Sequence, residues 1–87
     1  MKMTINPRIW KDSNEASANV AREMRAHRKG ASGYAVAYDD GVEDFSRFSS
    51  KFEEAVWDLC SWCIVHGGEL EIFRNANYAI ALRIKED

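Results

Sequence analysis

Histidine occurs twice in this 87-residue sequence, cysteine twice and proline once, and no apolar run approaches the roughly 20 residues a membrane-spanning helix needs. Each shortage excludes something. Two histidines, no Gly-x-Ser-x-Gly elbow and no phosphate-cradling glycine loop leave nucleophilic and phosphoryl-transfer mechanisms without parts. His66-Gly67-Gly68 matches the oxyanion segment of some lipases only by accident, since the rest of that apparatus is missing. The expectation is therefore a binding protein rather than an enzyme, and no motif calls for a cofactor. Two cysteines three positions apart are not the framework of a secreted disulfide scaffold, so both thiols should be reduced. The opening Met1-Lys2-Met3-Thr4-Ile5-Asn6-Pro7 has no hydrophobic signal region. These features predict a cytoplasmic chain that does not act at a membrane.

What is present is globular in character. Apolar residues are 46% and charged residues 30% of the chain. The length predicts a single domain over 1–87, with one core and little to spare. The net charge of −2 hides a division: residues 1–30 carry seven Lys/Arg against three Asp/Glu, and residues 31–87 carry five against eleven. One end is basic, +4, and the remainder acidic, −6.

Met1, Met3 and Ile5 alternate with polar residues and allow a short N-terminal strand ending at Asn6-Pro7. Asp12, with Glu15 three residues on, marks a helix start, and Gly30 supplies a left-handed stop. The Ala16, Val20 and Met24 stripe of that helix is narrow, which suits docking on a sheet without deep burial. Tyr34–Tyr38 and Val42–Phe48 read as a hairpin turning through Asp40-Gly41, a register that sets Val36 opposite Phe45, Tyr38 opposite Glu43 and Tyr34 opposite Arg47. Ser50 with Glu53 reads as a capping box opening a second helix that runs to Gly67-Gly68. Its apolar side carries Phe52, Ala55, Val56, Leu59, Cys60, Cys63 and Ile64, and its polar stripe Lys51, Glu54, Asp58 and Ser61. Glu69–Ile72 and Tyr78–Lys85 form a second hairpin with Leu70, Ile72, Tyr78, Ile80, Leu82 and Ile84 facing in. The predicted fold class is α+β, about four strands in a mainly antiparallel sheet with two helices packed on it, in the order α-β-β-α-β-β.

Three groups of residues invite a functional reading. Cys60-Ser61-Trp62-Cys63 has the redox spacing, but about two turns of helix precede Cys60, so the dipole that stabilises a redox thiolate is not there. A metal reading adds His66 to Cys60 and Cys63, with His27 as a fourth ligand. It lacks the turn or knuckle from which structural zinc ligands usually come, and two core thiols are the plainer account. Arg22, Arg25, Arg28 and Lys29 put cations at the end of the first helix, where the helix dipole alone favours them; nucleic-acid binding is the sharper alternative. Trp10, with Ile9, is expected to be buried as a hydrophobic lid over one edge of the sheet; left exposed, it would be an anchor for a partner.

Asp39, Asp40, Glu43 and Asp44 concentrate negative charge at the first hairpin without calcium-loop spacing, and Trp57 and Trp62 widen the apolar side of the second helix beyond what one sheet contact needs. These six residues form the predicted partner-binding surface. The leading expectation is a non-enzymatic protein-binding module whose acidic surface meets a protein partner, including a nucleic-acid-binding complex whose basic groove would otherwise hold phosphates. In size, charge and absent chemistry the chain resembles the stand-alone inhibitors that phages and mobile elements direct at host machinery, anti-CRISPR proteins among them; the likeness is one of layout, carried by no residue motif. Self-association through an exposed sheet edge is also compatible with the pattern.

Overall fold

A computed structural model describes residues 1–85. Its elements are β1 (Lys2–Ile5), a 3-10 turn (Pro7–Ile9), α1 (Ser13–Ala26), β2 (Tyr34–Tyr38), β3 (Gly41–Phe45), α2 (Ser50–His66), β4 (Glu69–Arg74) and β5 (Ile80–Lys85). The class is α+β, as the sequence predicts, but the sheet has five strands in the order β1-β4-β5-β2-β3. The optional N-terminal strand is real: β1 pairs antiparallel with β4, Met3 opposite Ile72 and Ile5 opposite Leu70. The sheet is also mixed, because β5 lies parallel to β2, with Val36 opposite Leu82. Strand periodicity predicts the two hairpins; it carries no information on how α2 sets one hairpin against the other.

Asp12 caps α1 by accepting a hydrogen bond from the Glu15 amide. The helix ends at Ala26, earlier than Gly30 suggests. The chain just beyond it is held from outside, as Arg74 of β4 donates to the carbonyls of His27, the C-cap, and Lys29 at 3.1 and 3.2 Å. Gly30 does take the left-handed conformation, φ 78°, but in the loop beyond. Ala16, Val20 and Met24 are fully buried, contrary to the expectation for a narrow stripe. The reason is that α2 and the 3-10 turn both pack against α1, so the stripe is enclosed rather than laid on one surface.

The cap of α2 is Ser49, whose hydroxyl accepts from the Phe52 amide, so the capping-box pairing of Ser50 with Glu53 does not form. Either serine satisfies the cap chemistry, and the chain selects the earlier one. The predicted apolar side of α2 is otherwise buried from Phe52 to Cys63, with Ile64 half-buried. The Gly67 amide closes the helix on the Cys63 carbonyl with φ 76°.

The first hairpin departs from its predicted register, and the second from its predicted bounds. The first turns through Asp39-Asp40, so Tyr34 faces Phe45, Val36 faces Glu43 and Tyr38 faces Gly41. The aromatic contacts at this end are therefore Tyr34 with Phe48 and Phe52, and Phe45 with Phe52, rather than Val36 with Phe45. In the second, Tyr78 points out at 68% exposure with φ 64°. The Asn75 side chain accepts from the amides of Asn77 and Ala79, and this side-chain turn delays the strand to Ile80. Leu70, Ile72, Ile80 and Leu82 face the core as expected, Ile84 is half-buried, and Trp10 is half-buried against the core.

The helices cover one face of the sheet. The other face is alanine-rich, with Ala35 and Ala81 shielded beside Phe73. Glu71 on this face is only 4% exposed, and Arg83 neutralises it with a paired guanidinium that also lies 4.3 Å over the Phe73 ring. Lys2 adds a looser contact at 3.9 Å.

Candidate functional site

At the carboxyl ends of the parallel pair β2 and β5, the sheet, the Asp39-Asp40 turn and the second half of α2 enclose a cleft of about 790 Å³. Its carboxylates are Asp39 and Asp40 from the turn and Asp58 from α2. Its aromatic walls are Tyr38 and Trp62, which remain 43% and 45% exposed. Leu59 and Ile84 supply apolar lining, and Gly67-Gly68 passes the rim. A Cβ on Gly68 would make ordinary contact with the Trp62 ring at 3.6 Å, so it is the backbone conformation, φ 153°, and not crowding that favours glycine there. The His66 ring lies tilted against the same indole at 4.7 Å between centroids.

The electrostatics of this cleft register on Tyr38. Burial raises the phenol's pKa, and the carboxylates of Glu43, Asp58 and Asp40 raise it further. Negative charge from a strand, a helix and a turn thus converges on one hydroxyl. Two cations, Arg83 and Lys85, also border the cleft, but the Arg83 guanidinium is committed to Glu71 and Phe73.

Of the predicted partner-binding residues, the fold gathers Asp39, Asp40 and Trp62 here. Glu43 projects from the face it shares with Val36, and its charge reaches Tyr38. Asp44, one residue on, projects from the opposite face of β3, so the four hairpin acids do not form a single surface. Trp57 belongs elsewhere. Five residues of helix turn it about 140° from Trp62, into the groove between α1 and α2, where its indole N–H donates to the Asn14 side chain at 2.8 Å. Charge density and aromatic surplus in the sequence do not single out Tyr38 or Asp58. Asp58 stands four residues before Trp62, a spacing that puts the two on one side of the helix.

Cys60 and Cys63 are fully buried free thiols. Burial, with a smaller effect from Cys63, pushes the Cys60 thiol up to about 12, and burial also raises Cys63 against a lowering by Arg8. Such groups do not ionise near neutrality, and a redox role has no support in this geometry. His66 is exposed on Trp62, and among the described residues no three His, Cys, Asp or Glu side chains gather as a metal site. Each three-residue step falls about 60° short of a turn, so His66 has rotated about 120° away from Cys60.

Arg22, Arg25, Arg28 and Lys29 are all exposed, with the Arg25 guanidinium 4.9 Å from the Phe48 ring centroid and Arg22 donating to Asn19. Phe48 packs against Tyr34 at the start of β2, whereas the cleft lies at its end. Positive and negative charge therefore lie toward opposite ends of one strand. Among the described residues, no helix is long and apolar enough to cross a membrane. No protein-family model matches the chain, and it has no match among curated proteins or solved structures.

Proposed function

We propose that this chain is a non-enzymatic protein-binding module that receives a basic segment of a partner in the cleft between the Asp39-Asp40 turn and α2. The observation that carries this reading is the convergence of Asp39, Asp40 and Asp58 with Tyr38 and Trp62 around one opening. An acidic turn alone is usually just a solvated turn. Half-exposed aromatic walls beside it offer apolar contact that water leaves unused, and aromatic side chains of this kind anchor interfaces. The carboxylates would draw a basic partner to the opening and exclude acidic ones. A protein whose basic surface ordinarily holds nucleic acid fits this chemistry, as would the target of an inhibitor that competes with phosphates.

The test is affinity capture from the native source with the unaltered chain and with Asp39→Lys, Asp40→Lys, Asp58→Lys. The reading expects a stoichiometric protein partner that the substituted chain loses while its circular dichroism is unchanged. Undiminished capture would remove the cleft from the interface.

A second reading, nucleic-acid binding through α1, is favoured by the exposure of Arg22, Arg25, Arg28 and Lys29 at one end of the fold. It expects a salt-dependent mobility shift with DNA or RNA that weakens when these residues become alanine. Absence of any shift at low salt would dispose of it.

A further inference from the structure

Resting on the proposed cleft, we infer that the group it selects on the partner is the guanidinium of an arginine, seated against Trp62 and Tyr38 and paired with Asp58 and the turn carboxylates. The carboxylates by themselves would accept any cation. Discrimination comes from the walls of the cavity and from the separation of its charges.

The cleft is walled by two half-exposed aromatic side chains and lined by Leu59 and Ile84, so a cation entering it gives up part of its water. An ammonium is strongly hydrated and compact, whereas a guanidinium is planar, weakly hydrated and stacks on aromatic faces. The loss of water therefore weighs more heavily on lysine. The carboxylates come from different elements, Asp58 from α2 and Asp39 and Asp40 from the turn, and so approach an occupant from more than one side. A guanidinium presents five donors in a fixed fork that can engage separate carboxylates at once. The His66 ring lies against the Trp62 indole at 4.7 Å between centroids, which restricts the freedom of the stacking surface.

Lys85 opposes this occupant. It borders the cleft as the cation not committed to Glu71, and its charge reduces the attraction for any positive ligand. Removing that charge should strengthen binding without altering the preference for arginine.

The experiment titrates the full chain with short Gly/Ser peptides carrying arginines, and with the same peptides carrying lysines at those positions, by calorimetry at low salt. The arginine peptide is expected to bind about three- to ten-fold more tightly. Trp62→Leu should remove most of that preference, Asp58→Asn should weaken both peptides, and Lys85→Gln should strengthen both. Circular dichroism and a thermal midpoint check that each variant is folded, and Trp62→Phe, which keeps an aromatic wall, should retain part of the preference. Equal binding of the two peptides would overturn the guanidinium assignment while leaving the acidic cleft as a general cation site. Failure of both peptides to bind would overturn this assignment and the cleft reading with it, and a preference undiminished in Trp62→Leu would place the discrimination elsewhere.

Discussion

The Asp58 carboxylate on α2 and the Tyr38 phenol at the end of β2 share the wall of one cleft. Burial raises the phenol above its ordinary pKa of 10.0, and Glu43, Asp58 and Asp40 add to the effect. Replacing Asp58 by Asn should therefore lower the Tyr38 midpoint, though not fully to the ordinary value, because burial and the other carboxylates remain. A titration of the tyrosine ring carbons by NMR reads this directly. An unchanged midpoint would mean that α2 and the β2–β3 turn do not approach as described.

The buried thiols give a pH dependence of defined sign. Cys60 is pushed from 9.0 to about 12 by burial and, less, by Cys63. Between those values the unfolded chain has lost this proton and the folded chain retains it, so the unfolded state binds fewer protons and stability falls as pH rises. The slope for one group reaches about 1.4 kcal/mol per pH unit at most. Urea unfolding across the alkaline range should show this decline, and Cys60→Ala should flatten it. Both thiols should also resist a thiol reagent in the native protein and react once it is unfolded.

Tyr34 is buried among Phe48, Phe52 and Phe45, and its hydroxyl has no hydrogen-bond partner among the described residues. An unsatisfied buried hydroxyl costs stability, about 1–3 kcal/mol by comparison with other systems. Tyr34→Phe keeps the ring and removes the orphan, so it should be neutral or raise the unfolding free energy by up to about 1 kcal/mol. Denaturant unfolding measures the change; a substantial loss of stability would show that the hydroxyl is satisfied in solution.

Gly33 precedes β2 where the hairpin backbone closes in. A Cβ there would lie 2.7 Å from the Phe45 carbonyl oxygen, and that neighbour is backbone rather than a movable side chain. Gly33→Ala should destabilise by about 1–3 kcal/mol, the usual range for forced overpacking. Gly41→Ala is the companion control for steric crowding, since nothing lies within 4 Å of its Cβ position, although its φ of 156° adds backbone strain. Unfolding midpoints of the two variants separate the effects.

The helices and both hairpins are legible because local patterns specify them: the Asp12 cap, the apolar side of α2, and the alternation of Leu70, Ile72, Ile80 and Leu82. The sheet order is not, since the pairing of β5 with β2 joins segments far apart in sequence and both are apolar enough to suit several neighbours. The shift of the first turn to Asp39-Asp40 moves the partners of β2 by two positions and so preserves every facing side, which is why the core prediction survives a wrong register. The site was half legible. Charge density marks Asp39 and Asp40 and aromatic surplus marks Trp62, but only the fold brings α2 over the end of β2 and adds Asp58 and Tyr38. The same helical rotation that brings Trp62 to the cleft carries Trp57 away from it.

The central claim is that basic partner segments enter the cleft at the end of β2. Amide shift mapping of the isotopically labelled chain during titration with a peptide carrying both arginine and lysine tests it most directly. The account predicts the largest shifts at Tyr38, Asp39, Asp40, Asp58, Trp62 and Gly68, diminished by Asp58→Asn and by added salt. Shifts confined to other surfaces, or none at all, would contradict it.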